Sequence, residues 1–235
     1  MQIFGLLLLA FVVAFGFSDR GAAQVSPFDL HAAIMVVLGS TAAVLVSSNH
    51  VTAMRTIACL RELIPRFRVY ARTTAAMEAE RERLCSLWHD GKRSVALDLA
   101  DKSSFASIKQ MVELILNRSP QAASSKVFLE QRHDEISRWQ PAINNWEMLS
   151  KLGPSFGMVG TITGMIQLFR NMSSENLNIG AAMSLALLAT LYGVAFGAGV
   201  AGPIGHYLNG LLDERLGFID RCEKSVNEIV SRVVG

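Results

Sequence analysis

Charge is missing from four long stretches of this sequence. Residues 2–17, 30–48, 152–169 and 179–208 contain no Asp, Glu, Lys or Arg, although the 235-residue chain carries 22 basic and 20 acidic side chains. About 20 consecutive apolar residues cross the hydrocarbon core of a bilayer. The last three stretches are long enough for that and the first is short, so the chain reads as an integral membrane protein. Cysteine is scarce as well: Cys59, Cys85 and Cys222 are the only three. Their spacing suits neither a zinc site nor a disulfide framework, and they read as packing residues. No nucleophile–base motif, phosphate-cradling loop or metal-ligand cluster is visible. The expectation is a protein that is not an enzyme and needs no metal or cofactor. A net charge of +2 gives no reason to invoke nucleic acid.

The basic residues set an orientation. Arg20 follows the first stretch and Arg170 the third, while the other Lys and Arg all fall in 49–151 and 209–235. Positive charge concentrates on the cytoplasmic side, so both of those segments are expected there. The fold expected is an all-α membrane protein with four transmembrane helices. Residues 1–48 form the first pair with a short periplasmic loop, and 49–151 a cytoplasmic helical domain. Residues 152–208 form the second pair, and 209–235 a cytoplasmic amphipathic tail helix. The first stretch has a rival reading as a signal peptide cut after Ala23, but no Lys or Arg precedes its apolar run, which favours a retained helix. Asp29, His31 and His206 lie near helix ends and read as capping or interfacial groups. Breaks are expected near Pro65, Gly91 and Pro120, and Pro141 should kink or end a helix. In the tail, Leu208, Leu212, Leu216, Ile219, Val226, Val230 and Val233 keep nearly one face, with Asp213, Arg215, Asp220 and Lys224 on the other.

Small residues recur in the second pair. Gly153, Gly157, Gly160 and Gly164 form one stripe, and Ala182, Ala186, Ala189, Gly193 and Gly197 another. In lipid such stripes mark close helix contacts. Thr161 borders the first and Thr190 the second. Their hydroxyls have two readings: bonds to their own helix that merely help packing, or a role in an ion path. Machines that move ions generally carry an ionisable relay within the membrane. None lies in these stretches, so either the chain is a passive scaffold or a partner helix brings the carboxylate. Pro154 and Pro203 each free a backbone carbonyl within an apolar stretch, unless Pro154 is merely the first residue of its helix.

The motifs "GPSFGMVGTITGM", "AAMSLALLATLYG" and "GPIGHYL", with "DLHAAIMVVLGSTAAVLV" before them, resemble the A subunit of bacterial flagellar stators, the MotA/PomA family. The likeness covers all four stretches in order and is most specific in the second pair. It implies an inner-membrane, multi-pass subunit of a flagellar motor serving bacterial motility and chemotaxis. Five copies would surround two copies of a MotB-like single-pass partner with a membrane Asp and a peptidoglycan-binding domain, and ion flow would turn the ring. It further implies Thr190, Thr161 and Ala189 along the ion path and Pro154 and Pro203 in torque-generating motion. Sodium-type relatives often have Thr-Thr where this chain has Ala189-Thr190. The lost hydroxyl favours protons, since a bare sodium ion wants hard oxygen ligands, although Thr161 leaves sodium open. The family's rotor-binding pattern is altered around Gly91, where Trp88 and Ala96 stand in for its Arg and Glu. Lys92, Arg93 and Asp98 become the candidate contact to a FliG-like rotor protein, while Arg81, Arg83, Arg132 and Arg138 read as a solvated helix face. Two alternatives remain: an ExbB/TolQ-like proton-channel subunit energising an outer-membrane system, and a non-flagellar stator paralogue.

Overall fold

The computed structural model describes residues 30–64, 69–171 and 179–234, and among these all regular structure is helical. The first apolar stretch, Asp29, Pro65 and the loop 172–178 lie outside the described residues, as does the question of cleavage after Ala23. In chain order the helices are α1 (Leu30–Ser47), α2 (His50–Ala58), a 3-10 segment (Cys59–Leu63), α3 (Val69–His89), α4 (Arg93–Lys102), α5 (Ala106–Leu116), α6 (Gln121–Asn171) and α7 (Ile179–Val194). A π-helical turn (Ala195–Ala201) and α8 (Gly202–Val234) complete the described chain. Of these helices, one apolar run within Ala186–Arg232 is long and apolar enough to cross a membrane, and Ala32–Ser47 is a shorter apolar helix.

The chain divides into two compact units. The first contains residues 30–63 and 141–207, the second 64–140 and 208–234. In the first, α1 packs on α7 through Ala32, Val36, Leu188 and Ala189, with Leu191 and Tyr192 against them. Gly39 of α1 has no room for a side chain, because a Cβ there would sit 2.6 Å from the Phe156 ring of α6. A polar knot ties α2 to α6. Ser48 donates to Asn145 Oδ1 (2.9 Å), Asn145 Nδ2 donates to Thr56 Oγ1 (2.8 Å), and Trp146 Nε1 donates to the Thr56 carbonyl (3.1 Å). Asn145 and Thr56 are both buried, so each polar atom has the partner that burial requires.

In the second unit α3, α4 and α5 wrap a core of Met77, Leu84, Ala96, Ile108, Met111 and Val112, closed by Phe128 of α6 and by Phe218, Cys222 and Val226 of α8. The turn from α3 to α4 is set by Gly91, whose φ of +76° suits glycine best. There Gly91 N–H bonds the Trp88 carbonyl and Lys92 N–H the Leu87 carbonyl, a helix stop that satisfies two terminal carbonyls.

Three expectations need correcting. Pro141 does not end a helix but lies inside α6; Pro154 lies inside it too, in keeping with the expectation that it frees a carbonyl within its stretch. Nor do the tail's charges all face away from the core. Arg215 packs inward, its guanidinium 5.2 Å over the Tyr70 ring and its Nε 3.5 Å from Glu135. Asp220 pairs with Arg132, while Arg81 donates to Glu78 (2.7 Å) and to Ser225 (2.9 Å). Arg81 and Arg132 are therefore cross-helix ties.

Candidate functional site

The small-residue stripes meet backbone to backbone. A Cβ on Gly153 would lie 2.7 Å from the Gly193 carbonyl and 2.8 Å from Gly197 Cα; one on Gly193 would lie 2.6 Å from the Gly153 carbonyl. Gly157 faces Ala189 and Thr190, with the Thr190 Cα 3.2 Å from its Cβ position, and Gly160 abuts the Ala189 methyl. Gly164 is buried. Helices brought this close gain dispersion contact along the whole seam, which side chains larger than Ala would prevent.

Farther along the seam the spacing changes. Contacts on the α7–α8 side fall at Gly193, Gly197, Gly202 and Gly205, against Gly153, Ser150 and Trp146–Glu147 of α6. A plain α-helix would bring residues 200 or 201 and 204 to that face after Gly197. The glycine contacts run one residue late, although Ala201 and Ile204 are buried as well, and the π-turn takes up the extra residue. Its closing bond runs from Gly202 N–H to the Gly197 carbonyl, five residues back. The two prolines bracket this turn. Pro154 Cδ sits 2.5 Å from the Cβ position on Gly197, and the Ser150 carbonyl, which Pro154 deprives of its amide, lies 2.6 Å from the same point. Pro203 follows the turn directly. Neither the turn nor the Asn145 knot was visible as such in the sequence; the slipped glycine spacing was the one signal of the turn.

Both threonine hydroxyls bond their own helices. Thr190 Oγ1 donates to the Ala186 carbonyl (3.3 Å) and Thr161 Oγ1 to the Met158 carbonyl (2.6 Å). Both residues are half-buried, so each keeps lone pairs accessible at the edge of the seam. Ala189 differs: it is fully buried between Gly160 and the Ala32–Val36 cluster. Away from the seam the helices present large apolar side chains outward, among them Leu38, Leu45, Ile162, Phe169 and Leu187. In the second unit Lys92 and Arg93 stand at the start of α4 and Asp98 in its second half, all three exposed. Arg93 stacks 5.7 Å over Trp88, and Asp98 pairs with Lys102 at 2.6 Å. Among the described residues no His, Cys, Asp or Glu group could hold a metal ion.

Glycine-seamed apolar helices beside a separate charged helical unit are the makeup of a helical membrane-type subunit. The chain belongs to the MotA/TolQ/ExbB proton channel family, whose pattern it matches over residues 99–220. It is similar to Motility protein A of Aquifex aeolicus, 34% identical over 91 residues, which cover 39% of this chain and 34% of that protein. It is also similar to Motility protein A of Borreliella burgdorferi, 26% identical over 190 residues, covering 78% and 68%. The match to the Aquifex protein thus spans about a third of that relative's length. The fold is shared with a chain of the C. jejuni MotAB structure at a TM-score of 0.72 and 13% identity, covering 97% of this chain and 88% of the other.

Proposed function

We propose that this chain is the ring-forming subunit of an ion-driven rotary stator in the bacterial inner membrane. Four helices cross the bilayer, and five copies surround two copies of a MotB-like single-pass partner. One observation carries the reading: a close-packed seam bearing Thr190 at its edge, in stretches with no Asp, Glu, Lys or Arg. Such a seam can wall an ion path but cannot relay a proton, so the carboxylate has to come from elsewhere. The fold shared with a chain of the C. jejuni MotAB structure supports a MotB-like partner. Flow through the partner's Asp would turn the ring, and Lys92, Arg93 and Asp98 would meet a FliG-like rotor protein. Protons fit best. Ala189 is walled in by Gly160, so a second hydroxyl beside Thr190 has no space to face a dehydrated sodium ion.

The test is gentle extraction of the tagged chain, identification of what co-purifies, and flux through the recovered complex in sealed vesicles. A single-pass protein with a membrane Asp and a peptidoglycan-binding domain is expected. Flux should follow the proton gradient without sodium and should fall about tenfold or more in Thr190→Val. Full flux in Thr190→Val would remove Thr190 from the path. A short partner without the peptidoglycan domain would move the reading to an ExbB/TolQ-like energiser.

A further inference from the structure

Helix α2 is amphipathic in the inverse sense. Its buried face is polar: Thr56 lies on it, and Cys59 and Glu62 continue it at the three-residue spacing of the 3-10 segment. Its outer face is apolar, with Val51 43%, Met54 73% and Ile57 67% exposed. At about 100° per residue Val51, Met54 and Ala58 share one direction, flanked by Ile57 and Arg55, while Thr56 points the opposite way. The helix is not free to turn and bury its apolar side chains. Asn145 holds the Thr56 hydroxyl and Trp146 the Thr56 carbonyl.

The same knot sets the course of α2. Ser48 precedes the helix and Thr56 lies near its end, yet both bond the one Asn145 amide. Running along α6, the helix would carry Thr56 on the order of 12 Å past Ser48. Instead it crosses α6 at the level of residues 145–146. The apolar α1 ends at Ser47 and α2 begins at His50, so the two helices are no more than about 10 Å apart along the chain. With α1 in the bilayer, that distance is comparable to the headgroup layer, which adds roughly 5–8 Å outside the hydrocarbon core.

A neighbouring copy would cover apolar atoms equally well, but charge favours a lipid surface. Residues 49–72 carry Arg55, Arg61, Arg66, Arg68 and Arg72 against one acid, Glu62, which is buried. An arginine excess directly after a membrane helix is what an anionic cytoplasmic leaflet attracts. An apolar helix face bordered by arginine is suited to lie in that layer. Arg55 and Arg61 are both exposed, and their long stems let the guanidinium groups reach headgroups while the face between them enters the acyl boundary.

We propose that α2 lies in the headgroup layer of the cytoplasmic leaflet, with Val51, Met54 and Ile57 in the acyl boundary and Arg55 and Arg61 on anionic lipid headgroups. It rests on the reading of α1 as a membrane-crossing helix and adds an anchor that fixes the depth of the chain.

The experiment uses the full chain, extracted with whatever co-purifies and returned to vesicles of phosphatidylcholine and phosphatidylglycerol. A nitroxide is attached at Met54→Cys or Ile57→Cys in a Cys85→Ala background, with Leu38→Cys on α1 and the exposed Glu82→Cys on α3 as references. The native Cys59 and Cys222 are buried, and burial raises their thiols to about 11 and about 12, so they react slowly. Collisions of the nitroxide with oxygen, which concentrates in lipid, are compared with collisions with a water-soluble nickel chelate. The oxygen-to-nickel ratio at Met54→Cys and Ile57→Cys is expected to exceed that at Glu82→Cys about threefold or more. Spin-labelled phosphatidylglycerol should be held at the protein in preference to phosphatidylcholine. That preference should fall by about half in the Arg55→Gln, Arg61→Gln double variant. Frequent nickel collisions at Met54→Cys and Ile57→Cys place α2 in water and overturn the proposal. Few collisions with either reagent overturn it in favour of a neighbouring copy. An unchanged lipid preference in the double variant overturns the headgroup contact. Leu38→Cys in water would sink the membrane reading of α1 as well, whereas Leu38→Cys in lipid with Met54→Cys in water removes the anchor alone.

Discussion

Thr190, Ala189 and the seam glycines show how little of a residue's role its type reveals. Thr190 and Ala189 are neighbours, yet one is only partly buried at the seam edge and the other is sealed. The glycines separate in the same way. Gly153→Ala would push a methyl into the Gly193 carbonyl and should cost about 1–3 kcal/mol through overpacking. Gly210 lies exposed inside α8 with nothing within 4 Å of its Cβ position. Gly210→Ala should instead stabilise by about 0.5–1 kcal/mol, because alanine loses less backbone freedom on entering a helix. Thermal melts of the two variants in one detergent, moving in opposite directions, check this. Equal shifts would mean that the seam can yield. The sequence made the glycine stripes legible as helix faces. It could not rank their members, because crowding depends on the opposing backbone.

Helix α6 and the π-turn carry the lesson of elements. The periodicity of 152–169 and 179–208 showed apolar helices, but Pro141 suggested a possible boundary that α6 ignores. An interior proline is tolerated where a neighbour meets the carbonyl it frees, as Gly197 meets that of Ser150. The turn after Val194 was hidden because 3.6-residue averaging absorbs one extra residue. A contrast of two deletions tests its meaning. Removing Ala198 should let Gly193, Gly197, Gly202 and Gly205 keep one face on a plain α-helix, so the chain should still assemble. Removing Leu187, outside the turn, turns everything upstream by about 100° relative to the seam and should abolish assembly. Size-exclusion profiles of the two complexes distinguish these outcomes, and equal failure would deny the turn its register role.

Across the whole chain, the two units divide the physics between them. The first is held by shape: backbone contact, apolar packing and one polar knot. The second adds charge. Burial works to raise the Glu78 carboxyl, but hydrogen bonds from Arg81 and Arg221 outweigh it and the net shift is downward. A carboxylate lowered in the folded state contributes stability above its unfolded value, about 4.3, and loses it as pH falls through the folded one. Stability should therefore hold above about pH 5 and decline below about pH 4. Glu78→Gln should lower the neutral plateau and flatten that acid limb, as melting temperature against pH would show. An unchanged limb would assign acid sensitivity to other carboxylates. The helical character of residues 69–116 was legible in their composition. That Arg215, Arg132 and Arg81 are inward ties was not, since a charge on a helix reads as solvated until its partner helix is placed.

The π-turn also bears on descent. A turn of this kind is what a single inserted residue leaves behind when a helix must keep its face on a neighbour. Relatives whose fourth apolar stretch is a plain α-helix should therefore align with this chain across a gap of one position between Gly197 and Gly202. Those that need no gap there should carry the same turn. A one-residue gap in an alignment would then separate lineages that have this turn from those that lack it.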